Sequence, residues 1–105
     1  MKKLVEAVWK KYEAKKDEIS RGFIKAEHIE FLEKELGFDE LNLEGLEKLR
    51  KAAYMFFDEM YCVYDGNGEL VGFKPWTEEI EFARDSQSAW MAVFDRRIRK
   101  CLGLA

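Results

Sequence analysis

Between residues 53 and 64 the only polar side chains are Asp58 and Glu59. A helix that is apolar nearly all round sits at the centre of its fold or is covered by a partner. The run belongs to a longer segment in which Leu46, Leu49, Ala53, Phe56 and Met60 alternate three and four apart. That heptad-like seam predicts a third helix with Phe56 in the core. Asp39 or Asn42 is placed to cap its start, and Glu44 meets the positive end of its dipole.

Two helices precede it. Leu4, Val5, Val8, Trp9, Tyr12 and Ile19 recur at helical spacing, with Gly22 placed as a left-handed C-cap. A second helix is expected over residues 24–36 with Ile24, Ile29, Leu32 and Leu36 inward. Gly37 stands where a left-handed residue closes a helix, and Phe38 follows as the apolar residue that accompanies such caps.

After the third helix, Tyr61-Cys62-Val63-Tyr64 and Leu70-Val71-Gly72-Phe73 flank Asp65-Gly66-Asn67-Gly68-Glu69. β-Branched and aromatic residues around such a turn predict a β-hairpin at about 61–73. A lone two-stranded hairpin is marginal in water, so this one is expected to lie on the helices or join another strand pair. Beyond Pro75, Thr77 can cap a last helix with Glu78 and Glu79 in its first turn. Its inward stripe reads Ile80, Ala83, Gln87, Met91, Phe94, Ile98 and Cys101, with Trp90 alongside and Gly103 at the end. The polar stretch Asp85-Ser86-Gln87-Ser88 offers a point at which this helix could divide in two.

The expected fold is therefore mainly α with minor β, in one domain over residues 1–105. It has four helices and one hairpin between the third and fourth. Three helices followed by a hairpin is similar in element order to a winged helix, with the last helix as a C-terminal arm. That arrangement is the alternative. The 105 residues are 48% hydrophobic and 14% aromatic with a single proline, a composition able to bury a core.

The net charge of −3 gives no global field favouring nucleic acid or an anionic membrane. Charge is nevertheless uneven. Residues 37–75 hold four basic and eight acidic groups, whereas Arg96, Arg97, Arg99 and Lys100 cluster near the end. The opening Met1-Lys2-Lys3-Leu4-Val5 meets Glu6, Lys10 and Lys11 before any apolar run forms, and no stretch approaches the roughly 20 apolar residues that span a bilayer. A cytoplasmic protein with reduced thiols is expected.

The residue inventory offers little chemistry. His28, the one histidine, is expected to be a partly exposed helix residue beside Glu27 and Glu30. Lys25 holds the place where a di-metal Glu-x-x-His pair needs its glutamate. Cys62 and Cys101 match no metal or redox spacing and are expected to pack. The Asp65 turn fails as a calcium loop, because Leu70 and Trp76 stand where glycine and glutamate are required. No catalytic residue, cofactor or metal ligand is expected.

Three tryptophans, four tyrosines and eight phenylalanines are a heavy aromatic load for so small a core. Aromatics, Met and Arg are also what interface centres favour. The expected function is a non-catalytic protein-binding module, a regulator or inhibitor that contacts another protein or a second copy. The candidate contacts are Tyr54, Met55, Trp76, Arg96, Arg97, Arg99 and Lys100. A winged-helix DNA-binding regulator is the alternative, with Lys48, Arg50 and Lys51 as its phosphate contacts. Against it, the turn carries Asp65 and Glu69 with no cation until Lys74.

Overall fold

A computed structural model describes residues 1–19 and 24–104. The elements are α1 (Lys2–Glu13), α2 (Ala26–Glu35), α3 (Leu43–Tyr61), β1 (Cys62–Tyr64), β2 (Leu70–Phe73) and α4 (Glu78–Cys101), with short 3-10 turns at Lys16–Glu18 and Phe38–Glu40. The chain is mainly helical, with the hairpin between the third and fourth helices as expected. The expected cap at Gly22 lies outside the described residues.

Local chemistry sets the boundaries. Asn42, rather than Asp39, caps α3: its Oδ1 accepts the Gly45 N–H at 2.8 Å. Thr77 Oγ1 accepts the Ile80 N–H at 3.1 Å and starts α4. Gly37 closes α2 at φ +71°, a left-handed backbone that a Cβ would strain, and Phe38 behind it is fully buried.

α3 and α4 form the main helix pair, and α1 packs on α3 while α2 packs on α4. The pair runs antiparallel, since Arg50 meets Asp95, Phe57 meets Trp90 and Tyr61 meets Gln87. At its centre Phe57 lies edge-on to both Trp9 and Trp90, with ring centroids 5.2 and 5.0 Å away. Tyr12 meets Trp90 edge-on at 5.5 Å. A second aromatic contact, Phe38 against Phe94 at 4.9 Å, fills the space between the turn after α2 and α4. Edge-to-face pairs add to the burial of their area because each positive ring edge meets a negative ring face.

Three expectations need correction, and one open point, the continuity of the last helix, is resolved. The α3 core stripe is Leu46, Leu49, Ala53 and Phe57, leaving Phe56 and Met60 half-buried. A helix of 3.6 residues per turn drifts off a strict heptad, so the seam advances to Phe57. α4 is one unbroken helix through Asp85-Ser86-Gln87-Ser88, because Ser86 and Gln87 face inward and Gln87 finds hydrogen-bond partners on α3. His28 is 2% exposed rather than partly exposed. α2 begins at Ala26, so His28 occupies the inward position one turn before Leu32. Cys62 is buried as expected, but Cys101 is exposed, in the last turn of α4.

Candidate partner-binding surface

The hairpin is built by its turn. Asp65 Oδ1 accepts the Asn67 and Glu69 N–H groups at 2.8 and 3.0 Å, and Asp65 N–H donates to the Glu69 carbonyl at 2.9 Å. Gly68 supplies the left-handed residue at φ +79°. The strands pair Cys62 with Phe73, Val63 with Gly72 and Tyr64 with Leu70, leaving Val71 as a bulged residue. Bulges re-aim side chains, and Val71 is 62% exposed.

A polar joint links α3 to α4 near the base of the hairpin and reaches the hairpin through Tyr64. Gln87 Nε2 donates to the Tyr54 carbonyl at 3.1 Å and to Asp58 Oδ1 at 3.0 Å. The Tyr61 hydroxyl lies against Gln87 Oε1 and 3.2 Å from Asp58 Oδ1, while the Tyr64 hydroxyl donates to Asp58 Oδ2 at 3.3 Å. Desolvation first, and the Asp58 charge after it, push the Tyr61 phenol up to about 12. The Tyr61 ring stacks on Phe73 at 6.3 Å and has the Arg84 guanidinium over it at 5.6 Å. Tyr61, Trp76, Arg84 and Gln87 line a cleft of about 430 Å3 beside this joint.

Beyond the joint the hairpin projects from the helices. It forms a two-stranded sheet whose other edges pair with no described strand, and only Cys62 of its strands is buried. The expectation that it would lie on the helices or extend another strand pair is thus met only at its base. Of the twelve large hydrophobic side chains exposed among the described residues, eight fall within residues 54–76. They include the expected contacts Tyr54, Met55 and Trp76. They also include Val63, Tyr64, Leu70, Val71 and Phe73 of the hairpin strands. The signal lay in the strands themselves: successive strand residues point to opposite faces, and with both faces apolar one has no helix to cover it.

The basic end of α4 divides in two. Arg97 bonds to Asp39 at 3.0 Å and to Glu33, and its guanidinium lies 5.6 Å over the Phe38 ring. Burial works against its charge, but the two carboxylates outweigh it and raise its pKa. Arg97 therefore clamps α2 and the following turn onto α4. Arg96, Arg99 and Lys100 are exposed, with no carboxylate partner among the described residues. All four line a cleft of about 680 Å3 with Ala92 and Leu104.

Of the cations considered for nucleic acid, Arg50 bonds to Asp95 at 2.8 Å across the helix pair. Lys48 pairs with Glu44 at 3.2 Å on its own helix, and Lys51 is exposed. Among the described residues no three of His, Cys, Asp and Glu gather as metal ligands. No described helix is long and apolar enough to cross a membrane. No protein-family model matches the chain, and comparison with curated proteins and with solved structures likewise gives no match.

Proposed function

We propose that this protein is a non-catalytic protein-binding module, a small regulator or inhibitor that works through contact with another protein chain in the cytoplasm. Its contact surface is the hairpin together with Trp76 and the outward α3 residues Tyr54 and Met55. One observation carries the reading: Phe73 and Trp76 are each 67% exposed, Phe73 on a hairpin that its ring contact with Tyr61 and the Tyr64–Asp58 hydrogen bond tie to α3. Exposed apolar side chains gathered on one element and rimmed by charge mark interaction sites, and an ordered platform spares a partner the entropy of arranging it.

The nucleic-acid reading draws less support. Arg50 and Lys48 are engaged within the chain, and the hairpin turn carries Asp65 and Glu69. Carboxylates at a wing tip would repel phosphate.

The test is affinity purification of the tagged chain from its host, side by side with a Val71→Glu/Phe73→Glu variant of equal helicity. A stoichiometric protein captured by the natural sequence and lost with the variant is the expected result. Identical capture by both chains, or nuclease-sensitive nucleic acid with a high 260/280 nm ratio in both, would overturn the reading.

A further inference from the structure

The molecule has two surfaces of opposite charge at opposite ends of α4, one largely apolar and the other lined mostly by charged side chains. The end of α4 that carries the hairpin presents Val71, Phe73 and Trp76 and also bears Glu69, Glu78 and Glu79, three exposed carboxylates without an ion-pair partner among the described residues. Lys74 and Arg84 are exposed there too, but so are Asp65 and Asp85, so acidic groups outnumber basic ones at this end. At the other end, Arg96, Arg99 and Lys100 line the cleft of about 680 Å3 over Ala92 and Leu104. The cleft's two carboxylates are already engaged, Asp95 by Arg50 and Glu33 by Arg97. The unspent charge there is positive. One end is a projecting ridge and the other a concave groove.

We propose that the hairpin end of one copy seats in the basic cleft of a second copy, so that the chain associates head to tail. This rests on the reading of the hairpin as a protein-binding surface and names its occupant. α4 has 24 residues, which at 1.5 Å per residue sets its ends about 35 Å apart. A single copy therefore cannot satisfy both surfaces by itself. Pairing hairpin with hairpin about a two-fold axis would bring two acidic ends together, a like-charge approach that the head-to-tail arrangement avoids. A heterologous contact of this kind leaves one hairpin and one cleft free at each end, so it propagates rather than closes unless its rotation forms a ring.

Sedimentation of the full chain from about 10 μM to about 1 mM tests this, a range that reaches weak association. The expected mass exceeds the 12.4 kDa of one chain, rises with concentration at low salt, and falls back in about 0.5 M NaCl as screening shortens the reach of the charges. Two variants then assign the surfaces: Val71→Glu/Phe73→Glu disables the hairpin, and Arg96→Glu/Arg99→Glu disables the cleft. All four residues are exposed, so circular dichroism should show both variants folded. Each alone is expected to be a monomer, and their mixture is expected to form a complex of one copy of each. A natural chain still monomeric at about 1 mM overturns the proposal. So does persistent association of the cleft variant alone, or a mixture that stays monomeric. A monomeric natural chain that captures a different protein through the hairpin leaves the binding-module reading standing and removes only this inference.

Discussion

The aromatic centre of the helix pair and the hairpin are made of the same kinds of residue and come to opposite ends. Phe57 and Trp90 are fully buried, whereas Phe73 and Trp76, on the far side of the Gln87 joint, are largely exposed. Hydrophobicity alone does not separate them. Phe57 lies on a helix with apolar neighbours at helical spacing on one side, so one stripe of side chains reaches the partner helices together. Phe73 lies on a strand of four residues whose outer edge pairs with no described strand, and although its ring stacks on Tyr61 it stays 67% exposed. An apolar residue becomes core only where a second element has an apolar face to offer it.

The largest effect that would break this contrast lies at Phe57. Phe57→Ala should cost about 3–5 kcal/mol, because the cavity would sit between Trp9 and Trp90 where neither ring can relax into it. Denaturant unfolding measures it, and Phe56→Ala beside it should cost clearly less. Equal losses would put the seam on the heptad positions after all.

Next in size is the joint. Gln87→Ala leaves the Tyr54 carbonyl without its Gln87 donor and deprives the Asp58 carboxylate of one of its own, an effect of about 1–3 kcal/mol. Hydrogen exchange should show the hairpin amides losing protection before those of α1. Uniform loss across the chain would mean that the two regions do not part at Gln87.

A smaller effect separates them by pH. Burial, partly offset by the neighbouring Ser86 hydroxyl, pushes the Tyr12 phenol up from 10.0 to about 12. The unfolded chain then loses its proton first. The stability linked to Tyr12 is full below pH 10 and is lost as pH rises towards 12. Thermal midpoints measured from pH 9 to 11.5 should fall less steeply in Tyr12→Phe than in the natural chain. Parallel slopes would show that Tyr12 takes no part in alkaline unfolding.

The smallest expected change is at the other region. Phe73→Ala removes a largely exposed ring and should alter stability by no more than about 0.5 kcal/mol. A loss of several kcal/mol would show that the hairpin is part of the core, and it would remove the basis for reading it as a contact surface.

Much of the architecture was legible from local pattern. The Gly37–Phe38 cap, the Thr77 cap, the Asp65 turn and the inward stripe of α1, apart from the exposed Leu4, all follow from interactions a few residues apart. What the pattern misjudged or left open depended on distant partners. The polar run at Asp85-Ser86-Gln87-Ser88 leaves open whether the last helix divides, because such side chains usually compete for the local backbone. Gln87 instead satisfies itself on Tyr54, Asp58 and Tyr61 of another helix. Arg97 read as one of four equivalent surface cations until Glu33 and Asp39, far away in the chain, claimed it.

By itself, then, the sequence determined the kinds of element, their order and the turns between them, because caps, glycine conformations and helical spacing act over one or two helical turns. It also determined that the chain carries more aromatic surface than one small core consumes. Only the tertiary structure decided which of that surface is left over, and which charges stay unpaired beside it. Burial is a property of two faces meeting, and the second face is supplied by residues that no local pattern names.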